Sequence, residues 1–110
     1  MRQMITTNEF QEFYNSLSLR VQNKIDAAIQ MLSERKVISS KLVKKLVSTE
    51  FYEMRISVDN EYRVILFAID HDSFIEAKQV LLLNGFLKKS SKDYKKAIQK
   101  ALHIIETMEV

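Results

Sequence analysis

The sequence predicts an α+β fold, with an N-terminal two-helix hairpin and a C-terminal helix packed on an antiparallel sheet. Three observations predict it. The first third carries apolar stripes at helical spacing, the middle alternates or runs apolar between polar turns, and the end returns to a helical period. Short connections between successive strands favour antiparallel pairing, and helices apolar on one side need a sheet to cover. At 110 residues and 46% hydrophobic content, the chain is expected to form one domain over residues 1–110.

Taken in order, Gln3 to Thr7 suits a short first strand. Thr6 and Glu9 stand at capping-box spacing, and Phe10, Phe13, Tyr14 and Leu17 follow as a helical stripe. Ser16-Leu17-Ser18 interrupts that stripe, Ser18 can cap a second helix, and Val21, Ile25, Ala28, Ile29 and Leu32 line it. From Phe51 to Val58 the chain alternates. Tyr52, Met54, Ile56 and Val58 point one way and Glu53, Arg55 and Ser57 the other, as in a half-buried strand. Asp59-Asn60 is a turn, and Tyr62 to Ile69 is apolar on both faces, the mark of a central strand. Asp70 to Ser73 turns again, and Phe74 to Leu87 makes a third strand with Gly85 at a bulge or a close approach. Tyr94, Ala97, Ile98, Ala101, Leu102, Ile105 and Met108 trace the last helix, capped by Ser90 or Ser91.

The charge is unevenly placed. Residues 1–83 balance eleven Lys/Arg against eleven Asp/Glu, while residues 84–110 set six lysines against three acids and carry the whole net +3. Such a patch is either a polyanion-binding surface or a solvated lysine-rich helix. Without cysteine, disulfide and zinc-thiolate chemistry are excluded. No apolar run approaches a membrane span and the N-terminus does not read as a signal peptide, so a soluble, cytoplasmic protein without a membrane partner is expected. There is no glycine-rich phosphate loop, zinc-protease helix or G-x-S-x-G elbow.

What remains for chemistry is a set of cations. Arg55 lies on the polar face of its strand, and the following strand begins with Tyr62-Arg63, which brings both arginines within reach of one ligand. The bland alternative pairs Arg55 with Glu53 or Glu61. Lys88 and Lys89 leave the third strand, and Lys92 precedes the last helix. His71 between two aspartates is either a metal ligand or turn chemistry, and His103 is expected at the surface.

Three segments in order resemble the RelE/HigB toxin superfamily, in particular its phage-derived, Gp49-like branch. They are Phe51-Tyr52-Glu53-Met54-Arg55-Ile56, then Glu61-Tyr62-Arg63-Val64-Ile65, then Leu82 to Lys92 (LLNGFLKKSSK), against the branch's L-Y-E-L-R, Y-R-V and H-G-F-x-K-K-x-x-K. Lys41 to Leu46 resembles the segment before the first motif, and Ala97, Ile98 and Ala101 continue the match, so that it covers about residues 3–105. The resemblance implies the toxin of a type II toxin–antitoxin pair, cutting mRNA on the ribosome without a metal or other cofactor. The RNA's own 2′-hydroxyl then attacks the adjacent phosphate. By that resemblance Arg55, Arg63 and Lys88 are catalytic, and Lys89, Lys92 and Tyr94 bind RNA. The implied partners are the ribosome, mRNA and a cognate antitoxin, a helix-turn-helix protein of the HigA type. Three departures stand out: Asn84 where the branch often has His, Lys92-Asp93-Tyr94 where it often has K-T-P, and Ser48-Thr49-Glu50 before the first motif. Asn84 cannot shuttle a proton, while Tyr94 suits stacking, proton donation or simple packing. Two rivals are a ParE-like inhibitor of DNA gyrase and a decayed relative that keeps only antitoxin or nucleic-acid binding.

Overall fold

The structure, a computed structural model, describes residues 1–108. Its elements run β1 (Gln3–Thr6), α1 (Asn8–Asn15), α2 (Leu19–Glu34), β2 (Val43–Lys45), β3 (Tyr52–Val58), β4 (Asn60–Ala68), β5 (Gln79–Leu87) and α3 (Ser91–Met108). The five strands form one sheet in the order β1-β5-β4-β3-β2. β4 is its centre, as the doubly apolar pattern requires. The α+β class is as expected, but the sheet is mixed: β2, β3, β4 and β5 pair antiparallel, while β1 pairs parallel with β5. The α1–α2 hairpin separates β1 from the rest and lets it return along the far edge.

Local chemistry explains most boundaries. Thr7, not Thr6, caps α1. Its hydroxyl accepts from Phe10 N (3.0 Å) and donates to the Leu83 carbonyl, which ties the helix start to β5. Ser18 caps α2 as expected. The third long strand begins at Gln79 and not at Phe74. Residues 73–77 form a turn that drops Phe74 and Ala77 into the core, and the Asp70 carboxylate holds the turn by accepting from Lys78 N and Gln79 N. Ahead of α3, Asp93 reaches back to accept from Lys89 N (2.7 Å) and Ser90 N (2.9 Å), the acidic half of a capping box begun by Ser90.

The sheet is covered on both faces. On one side α1 and α2 pack Phe10, Val21, Ile25, Ala28 and Leu32 against Met54, Ile56, Val64, Leu66, Val80 and Leu82. On the other, α3 packs Ala97, Ala101 and Ile104 against Phe51, Ile65, Leu81 and Leu83. A register shift between Ile65 and Leu66 leaves Leu83 unpaired on β5. This bulge puts Leu83 and Asn84 on the same, α3-facing side.

Gly85 makes the close approach anticipated for it. A Cβ there would fall inside the van der Waals surface of the Phe13 ring. Gly85→Ala is therefore expected to destabilise by about 1–3 kcal/mol through overpacking. Urea denaturation checks this, and a midpoint equal to wild type would contradict it.

Candidate functional site

The α3-facing side of the sheet carries the polar residues of β3 and β4. Directly opposed residues of an antiparallel pair share a face, and Arg55 stands opposite Arg63, which stands opposite Phe86. Two residues along β3, and so on the same face, Lys44 stands opposite Glu53. Arg55, Arg63 and Phe86 thus form a straight row across three strands, with Lys44 and Glu53 beside it.

Glu53 is the hub of this surface. Its side chain is only 4% exposed, and Oε1 lies 2.9 Å from Arg55 Nε and 3.6 Å from Arg63 Nε. The hydroxyl of Tyr94, from the first turns of α3, donates to the same oxygen at 3.2 Å. Arg63 Nε donates to that hydroxyl at 2.9 Å, while Nη1 donates to Glu61 Oε1 (3.1 Å) and the Tyr62 carbonyl (2.9 Å). Burial by itself would weaken Arg63's hold on its proton, but the bonds to Tyr94 and Glu61 outweigh it and raise the pKa. Burial, with Glu53 close by, pushes the Tyr94 phenol up against the pull of Arg63, so it keeps its proton at neutral pH.

The two arginines therefore differ. Arg63, expected beside Arg55 as a phosphate ligand, is 4% exposed with Nε and Nη1 hydrogen-bonded, because it sits on the central strand under α3. Arg55 lies one strand nearer the edge, beyond the cover of α3, and its side chain is 34% exposed. Its Nε is buried 2.9 Å from Glu53 Oε1 outside hydrogen-bond geometry, and among the described residues its two Nη groups donate to no protein acceptor.

The lysines surround this network. Lys88, at the end of β5, is half-buried, with Nζ 5.8 Å above the Tyr94 ring. Its backbone N–H donates to the Glu61 carbonyl, which holds the strand end beside Arg63. Lys89 and Lys92 are exposed on the turn and the first turn of α3. Tyr94 packs as one of its expected roles requires, since its ring meets Phe86 edge to face at 5.2 Å. His71 is a turn residue whose Nδ1 accepts from Ser73 N, and His103 is exposed. Among the described residues no group of three His, Asp or Glu is placed to hold a metal ion.

Lys44 was not singled out from sequence, and Glu53 was named there only as an ion-pair partner for Arg55, which it is at 2.9 Å, while its burial depends on α3. Lys44 lies in a three-residue edge strand, too short to show a period.

A family model described as "Phage derived protein Gp49-like" matches residues 12–106. No curated protein matches the chain in sequence. Among solved structures, a chain of the intact E. coli RelBE toxin–antitoxin complex superposes with a TM-score of 0.62 at 14% identity, over 82% of this chain and all of that one. The isolated E. coli RelE toxin gives 0.63 at 16% identity, over 91% and 98% of the two chains. A free-state E. coli RelE with two arginine-to-alanine substitutions gives 0.61 at 16%, over 88% and 94%. At such identities the likeness is one of fold.

Proposed function

The chain belongs to the phage-derived Gp49-like family, and from that membership we propose that it is the toxin of a toxin–antitoxin pair, an endoribonuclease that cuts mRNA on the ribosome. The observation that supports this reading most is the asymmetry of the two arginines. A buried, hydrogen-bonded Arg63 and Glu53 form a fixed base on which a half-exposed Arg55 is mounted, beside Lys88 at the strand end.

RNA cleavage by its own 2′-hydroxyl needs little from a protein. The 2′-hydroxyl gives its proton to water as its oxygen attacks phosphorus, the 5′-oxygen leaves and takes a proton from water, and negative charge grows on the non-bridging oxygens. Arg55 offers a planar fork to those oxygens and Lys88 a compact charge. Lys89 and Lys92 hold flanking phosphates, and Lys44 completes the rim on the Arg55 side. Arg63 acts through Arg55 and Glu53 by fixing the floor. Tyr94, protonated at neutral pH and donating its one O–H to Glu53, holds that floor together with Arg63 and does not act as a base. No metal is required in this scheme.

The test is purified protein added to ribosomes programmed with a defined mRNA, with cut sites mapped by primer extension. Cleavage confined to ribosome-bound mRNA, lowered at least tenfold in Lys88→Ala, is the expected result. Intact mRNA together with inhibited DNA supercoiling by gyrase would replace this reading with the ParE-like one. The partner is an antitoxin, in this reading a helix-turn-helix protein of the HigA type encoded next to the toxin. Growth arrest on expression, relieved by co-expressing that neighbouring frame, is the corresponding cellular result.

A further inference from the structure

Beyond the arginine row, the sheet and α3 part to leave a cleft of about 240 Å³, lined by Asn84, Gly85, Phe86, Asp93, Lys96, Ala97 and Lys100. We propose that this cleft is a second nucleotide subsite, taking an unpaired base of single-stranded RNA against Phe86 and Asn84, with its phosphates on Lys96 and Lys100. It rests on the RNA-cleaving reading above and adds to it where the strand runs next and which group reads a base.

Asn84 carries the argument. It is 2% exposed, and its Nδ2 donates to the Ala97 carbonyl at 3.1 Å. That bond fixes the amide's orientation, since a flipped side chain would set oxygen against oxygen. Oδ1 is left buried and accepts no hydrogen bond. A buried amide oxygen in that state is unfavourable, and each such exception calls for an explanation. The bulge at Leu83 is what turns Asn84 to this side. With the donor committed, only a group that brings a donor can satisfy Oδ1, and the N–H edge of an unpaired base is such a group.

The rest of the cleft suits the same occupant. Phe86 is half-buried and held by its edge-to-face contact with Tyr94, a fixed aromatic surface for a base. Lys96 and Lys100 lie one helical turn apart, exposed, and in no ion pair among the described residues. Asp93 is the one acid in the lining, and its Oδ2 accepts from both Lys89 N and Ser90 N. The volume is below the roughly 300–1,000 Å³ of drug-sized ligand sites, in keeping with a single planar ring system. Phe86 stands opposite Arg63, and Arg63 opposite Arg55, so the cleft continues the row that begins at the proposed scissile phosphate. Acceptor, ring and cations together are the elements by which proteins hold single-stranded RNA.

The experiment measures single-turnover cleavage on ribosomes carrying four mRNAs that differ in the base beside the cut. Wild type is expected to prefer some bases over others. Asn84→Leu is expected to flatten that preference by about tenfold. The surface variant Lys96→Ala/Lys100→Ala, which does not threaten the core, is expected to slow all four equally by about tenfold and to weaken the salt dependence. Lys95→Ala, outside the cleft lining, is the control. If wild type cuts but the double-lysine variant stays within twofold of it, the subsite is wrong and the RNA reading stands. Equal rates on all four bases in wild type overturn the base contact. A double-lysine variant that cuts normally but no longer binds the antitoxin makes the cleft a protein-docking surface instead. If wild type cuts no mRNA at all, the RNA reading falls and takes the subsite with it.

Discussion

Arg55→Ala is expected to lower ribosomal mRNA cleavage by roughly 10²–10³-fold, the usual effect of removing one donor aimed at transition-state charge, while leaving the fold intact. Its side chain is 34% exposed and tied only to Glu53, which keeps the Tyr94 hydroxyl at 3.2 Å and Arg63 at 3.6 Å when Arg55 is gone. The melting temperature should therefore move by no more than about 4–8 °C, corresponding to about 1 kcal/mol. Arg55→Lys keeps the charge without the fork and should recover only part of the rate. Arg63→Ala separates the two roles. It abandons two carboxylates, one of them buried, and is expected to destabilise by about 3–5 kcal/mol before any question of activity arises. Both outcomes are read from cleavage rates beside thermal melts. Arg55→Ala protein that cuts within threefold of wild type would remove Arg55 from the chemistry.

The second large effect lies far from this surface. Arg2 is 5% exposed, and its guanidinium donates to the carbonyls of Leu32 (3.0 Å), Arg35, Lys36 (2.7 Å), Phe74 (3.2 Å) and Ile75 (3.1 Å). It also lies 5.0 Å from the Phe74 ring centroid. No carboxylate pairs with it among the described residues. Burial lowers its pKa, yet a guanidinium stays charged across the accessible pH range. The charge is stabilised by the carbonyls at the C-terminal end of α2, where the helix leaves acceptors without partners and a partial negative charge. One side chain thus joins the α2 end, the 73–77 turn and the start of β1. Arg2→Met fills much of the same space but strands several of these acceptors. It is expected to destabilise by about 3–4 kcal/mol, which at roughly 4–8 °C per kcal/mol is a loss of at least about 12 °C in melting temperature. A loss below about 4 °C would show that the carbonyls find other donors.

The elements legible in the sequence are those whose signal is local. The stripes of α1, α2 and α3 need only a 3.6-residue period, and the opposite facing of Met54 and Arg55 needs only the two-residue period of a strand. The doubly apolar run of β4 marked it as central for the same reason, because a strand covered on both faces has no polar side to show. The excess of lysine after Leu83 is plain arithmetic.

Pairing decided the rest. β1 is parallel because of where the helical hairpin releases the chain, β2 is three residues long, and the 73–77 turn looks like strand because Phe74 and Ala77 are buried from a loop. The two arginines are alike in sequence, each two residues after a glutamate on neighbouring strands. Only the landing of α3 over β4 buries Arg63 and leaves Arg55 accessible, and only the bulge at Leu83 turns Asn84 toward the cleft. Burial and hydrogen-bond satisfaction are set by which surfaces meet, and residues 31 to 41 positions apart, such as Arg63, Tyr94 and Glu53, leave no periodic trace of that meeting. The sequence alone determined which side chains face together; the tertiary structure decided which of them can reach a ligand.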